Sequence, residues 1–271
     1  MNRVVKQLVI GLVFIIVVSA ICFGVYNIFR VKPTCFDSIQ NGKEEGIDCG
    51  TLACGIACAP EIQPLQVISS QVIKISQGDY DFVVKVYNPN PDYGSSLVSY
   101  DLVVTTEINT TTNSAGNFYI LPGQTKFLVW SSIKSGEEVS DIKLDIRDVL
   151  WEKLKSFSDA NFIVQSKNYS ILNKGSIFSE LSVSVFNNSN YDFDKVDAVA
   201  ILFDSEGGIV GVNKTEIRTF LSRTTRDFKL TWPNQLGAEV ATTDVEINTN
   251  IFNNSNFIKS HGDTEKFQKY Y

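Results

Sequence analysis

The chain has 271 residues, a net charge of −6 at pH 7 and a single histidine. An acidic body repels phosphate backbones, which argues against nucleic acid as a partner, and one histidine leaves little for acid–base triads. Val, Ile, Thr, Phe, Tyr, Ser and Asn abound while Met occurs once, a composition of strands rather than helices.

Residues 1–7 form a short tail with Arg3 and Lys6 and no acid. Residues 8–29, LVIGLVFIIVVSAICFGVYNIF, carry no charge. About 20 apolar residues in a helix cross a hydrocarbon core of ~30 Å, and a lone segment in lipid satisfies its backbone only as a helix. The pattern predicts a single-pass anchor held by membrane lipid, with the basic tail cytoplasmic and the body beyond Arg30 extracytoplasmic. Val18-Ser19-Ala20 is similar to a signal cleavage site, but the apolar run continues well past it, beyond a signal core of about 7–15 residues. Cys22 reads as membrane-helix filler.

Residues 33–60, PTCFDSIQNGKEEGIDCGTLACGIACAP, hold the other four cysteines: Cys35, Cys49, Cys54 and Cys58. An even, clustered set beside an anchor predicts two disulfides formed in an oxidising compartment, with the pairing left open among three connectivities. Zinc is the competing reading, but its modules favour CxxC knuckles, and none is present. Asp37, Asn41, Glu44 and Asp48 carry oxygen donors of the kind calcium takes, although their spacing is not that of an EF-hand. The competing role for them is capping turns. The stretch Ala59-Pro60-Glu61-Ile62-Gln63-Pro64 reads as an extended linker.

The cysteine stretch resembles a motif of bacterial surface proteins, C-x-D-G-I-x-N-G-x-E-T-G-x-D-C-G-G-x-C-x-x-C. Cys35, Asp37, Ile39, Asn41, Gly42, Glu44, Gly46, Asp48, Cys49, Gly50, Cys54 and Cys58 match it. Ser38 and Glu45 depart from it, and the last loop is longer through Thr51, Leu52 and Ala53. The resemblance implies an extracytoplasmic surface protein and no particular activity.

From Leu65 the chain repeats itself in order. LQVISSQVIKIS parallels FIVQSKNYSILN, FVVKVYNPN parallels LSVSVFNNS, ILPGQTKFLVW parallels FLSRTTRDFKLTW, and DIKLDI parallels TDVEIN. Within each copy, short runs alternate apolar and polar residues: Val84, Val86 and Phe127, Val129 in the first; Leu181, Val183, Val185 and Phe228, Leu230, Trp232 in the second. Asn, Pro, Gly and Asp clusters separate the runs. The expected fold is all-β: two tandem immunoglobulin-like β-sandwiches over 61–150 and 158–250, following one transmembrane helix and a small disulfide-rich module. Trp130 and Trp232 are expected to close equivalent strands as buried aromatics. Residues 148–158 space Val149, Leu150, Leu154 and Phe157 like a short helix, or extend the last strand of the first copy. The tail 251–271 is expected to be frayed.

The run VFNNSNYDFDKVDAVAILFDSEGGIVG in the second copy resembles the FxLYD-type domain, a bacterial immunoglobulin-like family. Ala200 and Phe203 stand where that family prefers Phe and Tyr. The resemblance, over about 160–249, implies a scaffold without catalytic residues.

His261 lies in the tail, and no phosphate loop, metal-binding His pair or GxSxG elbow occurs. The expected function is a membrane-anchored extracytoplasmic binding or adhesion-type protein, not an enzyme. It needs no cofactor beyond the candidate calcium, and its partner is an unidentified protein or surface ligand. The alternative is a structural subunit of a cell-envelope or secretion complex. Asn109, Asn168, Asn187, Asn213 and Asn253 lie in Asn-x-Ser/Thr sequons, which matter only in a glycosylating host.

Overall fold

The computed structural model describes residues 3–29, 35–58, 61–154, 160–260 and 269–270. The chain divides into two units, 1–61 and 62–271.

In the first unit, helix α1 spans Arg3–Phe29, long and apolar enough to cross a membrane. Its 27 residues rise about 40 Å. Large apolar side chains such as Leu8, Phe14 and Phe23 are exposed along it. The helix is uniformly apolar rather than amphipathic, the pattern of a helix solvated by lipid or by a targeting machinery. Residues 35–58 form turns joined by two isolated bridges, Gly46 to Cys49 and Gly50 to Ile56.

The second unit is all-β and contains the duplication. Six strands make the first sandwich: β1 (Gln66–Ser76), β2 (Asp79–Tyr87), β3 (Tyr93–Thr106), β4 (Thr111–Ile120), β5 (Thr125–Lys134) and β6 (Val139–Lys153). Six make the second: β7 (Phe162–Lys174), β8 (Ile177–Asn187), β9 (Phe193–Phe203), β10 (Ile209–Phe220), β11 (Thr225–Trp232) and β12 (Thr242–Asn248). The sheets of the first run β1-β2-β5 and β6-β3-β4, those of the second β7-β8-β11 and β12-β9-β10. Strand for strand, the two orders are the same. All pairings are antiparallel.

Each sandwich has its own core. Phe82, Val84, Val86, Val98, Leu102, Ile120 and Leu144 fill the first. Leu181, Val183, Val185, Val196, Ala198, Leu202, Phe220 and Trp232 fill the second. Leu154, just past β6, is buried in the second core. The strand alternative holds for 148–153, which belong to β6; residues 155–159 lie outside the described residues.

The registers refine two expectations. Trp130 faces Phe82 across β2–β5, and the residue in the same place on β8–β11 is Leu230, facing Leu181. Trp232 lies two residues further along, so the tryptophans share equivalent strands but not equivalent positions. Phe127 and Val129 do not share the core-facing side of β2–β5. Val84 pairs with Leu128 and points into the core, whereas Val83 pairs with Val129 on the opposite face.

That opposite face explains how the sandwiches join. Ile73, Val83 and Val129 from the outer face of β1-β2-β5 pack with Ile201 and Val212 from the outer face of β12-β9-β10. Four sheets are thus stacked with three apolar layers between them. Polar contacts edge the seam: Gln71 Nε2 donates to Ile209 O (2.9 Å), Phe127 N to Glu246 Oε2 (3.0 Å), and Lys214 Nζ to Val129 O (2.8 Å). The chain after β12 closes one end of it. A 3-10 turn (Ile251–Asn253) and helix α2 (Ser255–Ser260) bury Ile251, Phe252 and Phe257 in the second core. Asn254 Oδ1 accepts the Phe257 N–H as the helix cap (2.9 Å). Phe252 Cζ also lies 2.8 Å from where a Cβ on Gly94 of β3 would stand, so only glycine admits it. Residues 251–257 are therefore built into the fold, not frayed: two phenylalanines outweigh the polar residues around them. The short strand β13 (Lys269–Tyr270) pairs with β6.

Candidate functional site

The four clustered cysteines form two interleaved disulfides, Cys35–Cys54 and Cys49–Cys58. Each sulfur is bonded to another sulfur, so none is a thiolate for zinc. Cys22, in α1, is a free thiol. Gly46 lies against the second bridge: an added Cβ would sit 2.9 Å from Cys49 Sγ and 3.0 Å from Cys58 Sγ. This close approach accounts for a glycine three residues before Cys49.

Three of the four candidate calcium residues, Asp37, Glu44 and Asp48, accept hydrogen bonds within the module. Asp48 Oδ1 accepts the Asp37 N–H (3.0 Å) and its Oδ2 the Ser38 N–H (2.8 Å). Asp37 Oδ1 accepts from Ile39 N (3.0 Å) and its Oδ2 from Asn41 Nδ2 (3.0 Å). Glu44 Oε2 accepts from Asn41 N (3.0 Å). Asp37, Asn41, Glu44 and Asp48 are brought together, as cysteine-loop caps that replace a hydrophobic core. Glu44 is also near Cys35 and Cys54, but those sulfurs are disulfide-bonded and offer no metal ligand.

The second site was not foreseen from the sequence. The sheets of the first sandwich are open between their edge strands β4 and β5, and β9 and β10 of the second sandwich face that opening. Between them lies a cleft of about 740 Å³. Its apolar wall includes Leu97, Tyr100, Phe118 and Trp130. Tyr100 meets Trp130 edge-on at 5.7 Å, and Trp130 Nε1 donates to Tyr100 Oη (3.3 Å).

The polar wall is charged. Tyr119 Oη donates to Asp197 Oδ2 (3.0 Å), and burial followed by the Asp197 charge holds the phenol well above its ordinary pKa. Lys126 is only 7 % exposed, and its Nζ sits 3.8 Å from the centre of the Tyr119 ring. Burial pushes the Lys126 ammonium below its ordinary pKa, against the attraction of Glu246 and Asp197. Burial likewise raises the Glu246 carboxyl, which Lys126 and the Phe127 N–H partly offset. Lys195 pairs with Glu216 (2.6 Å), and Asp197 is 3.8 Å away. This arrangement suits ligand recognition: an apolar wall gives affinity, and a few placed charges give orientation.

His261 lies outside the described residues. The signal that would have found the cleft is Lys126 itself, a lysine on the alternation parity of Leu128 and Trp130. No family model matches the chain, and no curated protein matches it.

Proposed function

We propose that the chain is a single-pass, membrane-anchored extracytoplasmic binding protein without catalytic activity, and that the cleft between its sandwiches receives the ligand. The observation that carries the reading is that cleft, volume and chemistry together: about 740 Å³, lined by aromatic side chains and by the buried Lys126. The apolar α1 supports the anchor, and Arg3 and Lys6 support a cytoplasmic N-terminus. The disulfides support an oxidising compartment for the module. The cysteine-motif and FxLYD-type resemblances agree with a surface protein built on scaffold domains. Calcium is not part of this reading, because the carboxylates of Asp37, Glu44 and Asp48 accept amide N–H groups of the same loop.

Protease added to intact cells, with any outer layer permeabilised, is expected to remove the chain beyond Arg30 and spare α1. Alkaline carbonate is expected to leave the protein in the membrane fraction. Full protection until lysis overturns the orientation, and release by carbonate overturns the anchor.

A further inference from the structure

We propose that the cleft between the sandwiches binds an apolar ligand ending in a single carboxylate, the carboxylate pairing with Lys126 and the apolar body lying along Tyr100, Phe118 and Trp130. The inference deepens the binding role proposed above and rests on it.

Lys126 is the odd charge in the cleft. Among the described residues no ion pair within 4.0 Å holds its Nζ, which lies over the Tyr119 ring. The other lysines of the cleft are engaged, Lys195 by Glu216 and Lys214 by the Val129 carbonyl. The two acids whose fields reach Lys126 are engaged as well. Asp197 holds the Tyr119 hydroxyl, and Glu246 holds the Phe127 N–H. A buried ammonium without a contacting counter-ion is costly, and an anion arriving in the cleft relieves that cost.

The same cleft holds an unpaired acceptor. Asn250 Nδ2 donates to Ser96 O (3.3 Å), while its buried Oδ1 has no hydrogen-bond partner.

The charge of the ligand follows from the surroundings. Asp194, Asp197 and Glu216 line the cleft with Lys126. Lys195 and Lys214 line it too, so three ammoniums balance the three acids, and the single ammonium that no ion pair or hydrogen bond engages suits a monoanion better than a phosphate dianion. The aromatic wall then requires an apolar body. Two sources share this chemistry: a free small-molecule carboxylate, and the C-terminus of an apolar peptide.

The test uses the full chain in phosphatidylcholine nanodiscs. The probes are 3-phenylpropanoate, its uncharged amide, N-acetyl-Gly-Phe with a free carboxylate, and the same dipeptide as its amide. Calorimetry gives affinity, and tryptophan fluorescence reports the three tryptophans, of which Trp130 lines the cleft. The expected result is saturable binding of a carboxylate probe, at least about tenfold weaker for its amide and for K126M, and kept in K126R. K143M, which alters an exposed lysine on β6, is expected to bind as the unaltered protein does. Circular dichroism verifies that K126M is folded. Preference for phenylpropanoate assigns a free small carboxylate, and preference for the dipeptide assigns a peptide terminus. Equal binding of acid and amide, or binding undiminished in K126M, overturns the Lys126 pairing while leaving the cleft as a binding site. No saturable response to any probe up to about 10 mM overturns the pairing and the cleft reading together.

Discussion

Asn88 and Asn187 occupy the same place in the two sandwiches, each fully buried and each tying the end of one strand to two other stretches of chain. Asn88 Nδ2 donates to Tyr93 O (2.7 Å) and Leu121 O (2.8 Å). Asn187 Nδ2 donates to Tyr191 O (2.9 Å) and Leu221 O (3.1 Å). Each Oδ1 accepts the N–H two residues on, from Asn90 (3.0 Å) and Ser189 (3.1 Å). The clasp survives where the surrounding sequence has diverged, because a buried amide that satisfies carbonyls on separate loops has no apolar substitute. It also makes Asn187 a buried hydrogen-bonding group rather than a glycan acceptor.

Asn88→Ala and Asn187→Ala are each expected to destabilise the fold by about 2–4 kcal/mol, since both leave buried carbonyls unpaired. Equilibrium denaturation reads the change. An exposed control on β4, Asn113→Ala, is expected to stay within about 0.5 kcal/mol.

Peptide mapping without reductant is expected to recover the Cys35–Cys54 and Cys49–Cys58 links. Each bridge contributes about 2–4 kcal/mol to a loop with almost no core. Reduction is therefore expected to abolish amide protection over 35–58 and leave the β signal of 62–271 intact. Loss of that signal would show that the sandwiches depend on the module.

Two buried charges make stability depend on pH in opposite directions. The Lys126 pKa is lowered by burial, so between the lowered value and its ordinary 10.5 the unfolded chain holds the extra proton. Stability rises with pH through that window, and K126M is expected to remove the rise. The Glu246 pKa is raised by burial, so between 4.5 and the raised value the folded chain holds the extra proton. Stability falls as pH rises there, and E246Q is expected to remove the fall. Denaturant midpoints of each variant against the unaltered protein, taken across both windows, measure the effect.

At the seam, Val83 faces Val129; in the second sandwich the same register holds Ser182 facing Lys229. Transplanting the polar pair as V83S/V129K is expected to part the sandwiches without unfolding either. Calorimetry should then resolve two transitions where the unaltered protein shows one, with the strand signal retained. One unbroken transition would mean that the edge hydrogen bonds hold the seam unaided.

The duplication was legible because six strands recur in order with turn residues between them, and the second core was read correctly from Leu181, Val183, Val185, Leu230 and Trp232. The first copy misled at β5. Both faces of that strand are covered, so Phe127 and Val129 look like core residues by alternation alone, although they serve the seam. A local signal for double coverage was present: DFVVKV in β2 and AVAILF in β9 are near-continuous apolar runs, the mark of a sheet buried on both sides. The cysteine loop was legible in its bonding but not its pairing, since spacing carries no distance information. Of the cleft only the out-of-place Lys126 was legible: its walls come from strands about a hundred residues apart, and only a docked pair of sandwiches creates it.

The stacked sheets also bear on polymerisation. The seam joins two non-equivalent faces, one from each copy, which is a head-to-tail arrangement that in principle adds units without end. A third body would have to settle on the outer face of β7-β8-β11. There the apolar pair is replaced by Ser182 and Lys229, and Lys229 forms an ion pair with Glu180 (2.7 Å). At the other extreme, the outer side of β6-β3-β4 carries the Asp101–Arg147 ion pair. Polar substitution at these two outer faces caps the series at two and keeps a self-complementary repeat from growing into a filament.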